Sequence, residues 1–136
     1  MILLDTNIVS EALKAGGDPA VLAWLDEQAI ETLYLSTITI AEIHFGIALL
    51  PAGKRRTSLA RNFEERVVPQ FDGRLLPFDI RAAHAYGTLR AEARRAGKAI
   101  AVADGYIAAI AVAHGLAIAT RDVSPFETAS LRVIRP

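Results

Sequence analysis

Met1-Ile2-Leu3-Leu4-Asp5-Thr6-Asn7 is the stretch on which the fold is decided. Ile2-Leu3-Leu4 is a short apolar run that reads as a buried strand, and it ends on an acid. The rest of the chain repeats that alternation of short apolar run and helical pattern. A helix over roughly Asn7 to Lys14 is broken by Gly16-Gly17. Asp18-Pro19 opens the next helix, with Asp18 as N-cap and Pro19 at the first helical position. Its Val21, Leu22, Trp24 and Leu25 form one apolar stripe. Leu33-Tyr34-Leu35 is a second strand, and a helix from Ser36 to Leu50 is ended by Pro51 and Gly53. A polar helix then runs to Pro69.

Arg74-Leu75-Leu76 reads as a short strand closed by Pro77. Asp79 caps a long helix to about Ala96, with Gly97 just beyond its end. A helix over Ala99–His114 follows and Gly115 closes it. Leu116 to Ala119 and Leu131 to Ile134 are the remaining strands. Strands separated by helices predict an α/β fold, a short and mainly parallel sheet covered on both faces.

Composition narrows the classes. The 136 residues suit one domain, 1–136, and 52% apolar content supplies a core. With no cysteine, disulfides, thiolate zinc sites and a cysteine nucleophile are excluded. The longest nearly apolar stretch, Ala99 to Ala113, is too short to span a bilayer and carries Asp104, so a cytoplasmic protein is expected. Fifteen basic residues balance fifteen acidic ones, so there is no global pull toward nucleic acid. Two local basic clusters remain, Lys54, Arg55, Arg56, Arg61 and Arg66, and Arg90, Arg94, Arg95 and Lys98. Each is either a solvated helix face or a seat for a polyanion.

In open α/β sheets ligands bind outside the carboxyl ends of the strands, so the residues after each strand carry the information. Asp5 follows the first strand, Ser36-Thr37-Ile38-Thr39 and then Glu42 follow the second, and Thr120-Arg121-Asp122 follow the fourth. Taken singly, Asp5 could merely cap a helix, Glu42 fits a capping box with Thr39, and Asp122 could be a turn residue. Asp104 resists such an account. It is the only charge between Ala99 and Ala113, a helix apolar on all sides, and Lys98 lies six residues back. A carboxylate buried without a partner costs several kcal/mol or takes up a proton. A metal ion is the economical partner. Crowded carboxylates suit Mg²⁺ or Mn²⁺, and such a centre binds phosphoryl oxygens and activates water.

Met1 to Asn7, Thr39-Ile-Ala-Glu42, Ala103-Asp-Gly-Tyr-Ile-Ala-Ala109 and Ala119-Thr-Arg-Asp122, in that order and at that spacing, resemble PIN-domain ribonucleases. Among these the chain resembles the VapC-type toxins of toxin–antitoxin pairs, and most of all their FitB branch, which shares Leu76-Pro77-Phe78-Asp79. The resemblance covers essentially the whole chain. It implies an α/β/α sandwich and metal-dependent endonucleolytic cleavage of RNA. It implies an acidic quartet of Asp5, Glu42, Asp104 and Asp122, with Asn7 and Thr120 as supporting polar residues. It further implies a homodimer, silenced by a small antitoxin whose DNA-binding part is of ribbon-helix-helix type, the complex binding its own promoter DNA. One departure stands out: many members carry an Asp where this chain has Pro125, so the fourth acid is Asp122 alone.

On this reading Asp5 and Asp104 hold the metal most directly, Asp122 completes the shell, and Glu42 holds the attacking water or a second ion. Arg121 is a candidate phosphate contact. His44, His84 and His114 lack any mutual ligand spacing and are expected to be structural or surface residues. Asn7 stands where a haloacid-dehalogenase-like phosphatase needs a second Asp. No lysine follows a strand, as a receiver domain requires, and no Gly-x-x-x-x-Gly-Lys loop is present. The remaining alternative is a catalytically inactive PIN-like scaffold that binds RNA or protein.

Overall fold

The computed structural model describes residues 1–127 and 130–136. Five short strands form one sheet: β1 (Ile2–Leu4), β2 (Leu33–Ser36), β3 (Leu75–Leu76), β4 (Ala117–Ala119) and β5 (Val133–Ile134). Their order is β3-β2-β1-β4-β5 and every pairing is parallel. β1 lies at the centre, with Ile2 beside Leu33 and Ala117 and Leu3 beside Tyr34 and Ile118.

Among the described residues the α-helices are α1 (Thr6–Leu13), α2 (Pro19–Glu27), α3 (Thr37–Ala48), α4 (Lys54–Asn62), α5 (Ile80–Arg95) and α6 (Val102–His114). Strand alternation sorts them into two layers. Ile2, Leu4, Leu33, Leu35, Ala117 and Ala119 face one way, onto Ile8, Val9, Val21, Ile43, Ile47 and Phe63 of the first four helices and their extension. Leu3 and Ile118 face the other way, onto Ala82 and Leu89 of α5 and Ile107, Ala108, Ile110 and Ala111 of α6. The result is the expected three-layer α/β/α sandwich.

Caps set most of the helix limits where the sequence places them. Asp18 accepts from Ala20 N at 2.8 Å with Pro19 at the first position, and Asp79 accepts from Ala82 N at 3.0 Å. Gly115 ends α6 with a φ of 64°, a left-handed backbone that glycine adopts without strain. Trp24 packs partly buried against the first core layer.

Three expectations are corrected. The chain does not stop at Pro69: α4 passes into a π-helical turn (Phe63–Val67) and then a 3-10 turn (Val68–Phe71) that contains the proline. A proline in the first turn of such a segment removes a donor that has no acceptor there. The last long helix begins at Val102, not Ala99. Asp104 therefore sits in its first turn and is half-buried, while Val102 is 51% exposed. Finally, the N-cap of α3 is Ser36, whose Oγ accepts from Thr39 N at 3.0 Å, so Glu42 is not part of a capping box. Among the described residues no helix is long and apolar enough to cross a membrane.

Candidate active site

The carboxyl ends of β1, β2 and β4 bring the singled-out residues to one edge. Asp5 continues the ladder beyond β1, its N–H donating to Ala119 O at 2.9 Å. It is also the N-cap of α1, Oδ1 accepting from Thr6 N at 2.8 Å. Capping takes one carboxylate oxygen only. The other, Oδ2, accepts from the Thr120 hydroxyl at 2.8 Å.

Thr120 is fully buried just past β4, and its hydroxyl is a hub. With its proton on Asp5, the oxygen accepts from Asn7 Nδ2 at 3.2 Å and from Asp122 N at 3.0 Å. Asn7 closes the circuit by accepting from Arg121 N at 3.1 Å. Asn7 and Thr120 thus tie Asp5 to the loop that carries Asp122. Asp122 itself is exposed. The position occupied by Pro125 belongs to a 3-10 turn, Ser124–Phe126, that seats Phe126 in the core.

Glu42 lies on the second turn of α3 and is held by hydroxyls. Thr6 Oγ donates to Glu42 Oε1 at 2.6 Å, which leaves Thr39 to donate to Thr6 at 3.1 Å and Ser36 to donate to Thr39 at 3.3 Å. Three hydroxyls therefore point one way, toward the carboxylate. The sequence reading gave Thr6 no role and Thr39 only a place in a capping box, although both lie inside quoted motifs.

The acids feel one another. Burial pushes the Asp5 carboxyl up from an ordinary 3.8 to about 6; the bonds from Thr120 and Thr6 pull it down, and the charges of Asp104 and Glu42 push it further up. Burial also raises Asp104, with Glu42 and Asp122 adding to the rise. The deeply buried acid is thus Asp5, 4% exposed, and not Asp104 as the sequence implied. Among the described residues none of the four forms an ion pair. Nor do three of them converge closely enough to enclose a metal unaided. The donor set is nonetheless all oxygen, with two acids disfavoured as anions, and both features suit a hard divalent cation.

Arg121 does not stand free. Its two terminal nitrogens bond Glu11 Oε1 at 2.6 Å and Asp18 Oδ2 at 2.9 Å. Glu11 is buried and also takes Lys14 Nζ at 2.8 Å and Asp18 N at 2.9 Å, which hold its carboxyl below the usual range. Nothing in local spacing links Glu11 to Arg121, and the sequence reading missed it. His44 is exposed and pairs with Glu64 beside the Phe63 ring. His84 is exposed and His114 half-buried, and none of the three belongs to the acidic edge.

A groove of about 760 Å³ lined by Leu13, Ile43, Ile47, Leu59 and Arg55 runs between α1, α3 and α4 and reaches Glu42. On the other side α5 and α6 pack antiparallel, Arg81 bonding Ala113 O at 2.6 Å and Tyr86 lying over Gly105. A Cβ at Gly105 would come within 2.8 Å of the Tyr86 ring, so glycine permits this approach beside Asp104. That register carries Arg90 and Arg94 toward the Asp104 end of α6. Phe78, from the Leu76–Asp79 motif, completes an aromatic group with Tyr86 and Tyr106.

Comparison with known proteins agrees with this fold. The model of the PIN domain matches residues 2–130. The VapC ribonuclease Y4jK of Sinorhizobium fredii is 59% identical over all of this chain and 97% of its own. Toxin FitB of Neisseria gonorrhoeae is 48% identical, covering 100% of this chain and 98% of its own. The structure of FitAB bound to the IR36 DNA fragment superimposes with a TM-score of 0.96 at 47% identity, covering 100% of this chain and 95% of that one. The chain belongs to the PIN-domain family, within the group of VapC-type toxins that includes FitB.

Proposed function

We propose that the chain, acting as one nuclease unit over 1–136, is the toxin of a toxin–antitoxin pair, a Mg²⁺- or Mn²⁺-dependent endoribonuclease. The observation that carries this reading is a set of four carboxylates on one sheet edge, none of them ion-paired among the described residues, with the buried member raised to about 6. The names of the relatives, a VapC ribonuclease and a FitB toxin, support it.

Asp5 and Asp104 would hold the cation, with Asp122 completing its shell. When bound, the cation supplies Lewis acidity that makes a water more acidic and offsets charge growing on the phosphoryl oxygens. The chain does the rest. Thr120 and the Thr6 amide fix both oxygens of Asp5. Glu42, steadied on one oxygen by Thr6, keeps the other for the proton of the attacking water. Arg90 and Arg94, toward the end of α5 that packs near the start of α6, and Arg55, in the groove with Glu42, are the candidates for flanking phosphates.

The partners follow the same reading. The antitoxin, carrying a ribbon-helix-helix-type part for promoter DNA, would seat a segment in the groove of Leu13, Ile43, Ile47 and Leu59. The likeness to FitAB on DNA supports that assembly. Phe45 and Leu49, 67% and 68% exposed one turn apart at the C-terminal end of α3 and its cap, suit a second copy of the toxin.

The deciding experiment incubates antitoxin-free protein with structured and single-stranded RNAs in Mg²⁺, Mn²⁺ or EDTA, beside Asp5→Asn and Asp104→Asn. Cleavage is expected to need metal and both acids. Full activity in either variant refutes the assignment, and a folded protein that neither binds Mn²⁺ nor cuts RNA returns the scaffold alternative.

A further inference from the structure

We infer that Arg121 is a positioning residue for the acidic edge, acting through the loop that carries Thr120 and Asp122, and is not a contact to the RNA backbone. The inference rests on the nuclease reading above.

Arg121 ties its own loop to the α1–α2 stretch, 103 to 114 residues away in the chain. Its backbone N–H bonds Asn7, and its guanidinium fork spans Glu11 on α1 and Asp18 at the start of α2. The reversal between α1 and α2 is shaped for this. Gly17 lies so close to α1 that a Cβ there would sit 2.1 Å from Glu11 O. That approach brings Asp18 beside Glu11, its amide bonding Glu11 Oε2 at 2.9 Å while its own Oδ1 caps α2. Two carboxylates, Glu11 and Asp18, balance two cations, Lys14 and Arg121. The cluster therefore offers a phosphate no net positive charge, although the Arg121 side chain is 42% exposed.

Asp122 shows what the clamp is for. It is exposed, and among the described residues its side chain accepts no hydrogen bond, so its position comes from the backbone. That backbone is fixed by Asp122 N on Thr120 Oγ and by the neighbouring Arg121. Releasing the guanidinium would cut the loop's tie to Glu11 and Asp18, leaving only the Arg121 amide on Asn7 and the bonds of Thr120, and would loosen Asp122. A planar fork meeting two carboxylates is a task for arginine and not lysine.

The test measures Mn²⁺ affinity of the full-length apo protein by calorimetry, and kcat and KM for RNA at several salt concentrations. The variants are Arg121→Ala, Arg121→Lys and Glu11→Gln. Positioning predicts that Arg121→Ala and Glu11→Gln both weaken Mn²⁺ binding by about 10- to 100-fold, as loss of an outer-shell partner does, and both lower kcat. The KM for RNA and its salt dependence should stay as in wild type. Arg121→Lys, which reaches one carboxylate, should recover part of the loss and stands in if the alanine variant does not fold. A phosphate contact predicts the reverse: Arg121→Ala raises KM and lowers the salt slope by about one with Mn²⁺ affinity unchanged, while Glu11→Gln leaves RNA binding intact or stronger. That result overturns the inference, as does wild-type behaviour in all three variants. A wild-type protein that neither binds Mn²⁺ nor cleaves RNA overturns the nuclease reading itself.

Discussion

Replacing Asp5 by Asn should abolish metal-dependent cleavage and make the metal-free protein more stable. The magnitude follows from the buried carboxyl. Its pKa rises from 3.8 to about 6 on folding, so the folded chain holds the proton more tightly than the unfolded chain. Below the unfolded value Asp5 is neutral in both states and costs nothing. As pH rises from 3.8 to about 6 the unfolded state ionises first and stability falls; above about 6 the loss is complete. Two units at 1.36 kcal/mol each amount to about 3 kcal/mol at neutral pH. At about pH 4.5 the same relation leaves only about 1 kcal/mol. The asparagine amide mimics the neutral carboxyl and carries no such penalty: Oδ1 still accepts from Thr6 N, and the Thr120 proton can turn to Asp122 O, 3.2 Å away. Any constant packing difference cancels when the two pH values are compared. Urea unfolding of both proteins in EDTA should therefore show the advantage of Asp5→Asn growing by about 2 kcal/mol between about pH 4.5 and about pH 7.5. At neutral pH this corresponds to about 5–10 °C in Tm. An advantage that does not change with pH, or that shrinks as pH rises, refutes the desolvation argument.

Other outcomes follow from the same contacts. Glu11, whose carboxyl is held below its ordinary 4.5, should stabilise the fold fully above that value and lose its contribution as pH falls through its folded value; unfolding midpoints of wild type and Glu11→Gln should converge in acid, and a gap independent of pH counts against the Lys14–Asp18–Arg121 environment. Gly17→Ala places a methyl 2.1 Å from Glu11 O, so it should cost about 2–3 kcal/mol by denaturant midpoint; a neutral effect would mean that the reversal relaxes freely. Thr6→Val removes the hydroxyl on Glu42 and should lower kcat about 10-fold or more with a stability change of about 1 kcal/mol; unchanged turnover would remove the hydroxyl relay from the mechanism.

Local signals were read well from the sequence and tertiary ones were not. Asp18-Pro19, Asp79 and Gly115 set helix ends because caps act on backbone groups within a turn. The alternation of strand and helix placed Asp5, Glu42 and Thr120 on one edge, since a parallel sheet points all its strands the same way. Asp104 is different. Its burial depends on where α6 starts, and an apolar run does not mark its own first turn. Pro69 misled because proline breaks a helix interior and not a fresh 3-10 turn. The partners of Arg121 lie 110 and 103 residues away, beyond any periodicity.

The order of the strands also has a consequence for the timing of synthesis. The central strand, β1, is made before both of its neighbours, and one of these, β4, comes only after β2, β3 and all six of the described helices. Asp5 gains Thr120 only when that late strand docks, and Asp122 arrives with it. A nascent chain that has folded its first four helices has Asp5 and Glu42 in hand and no working edge. For an enzyme that cuts RNA, this means that the chain cannot attack any transcript until its β4 segment has left the ribosome and docked.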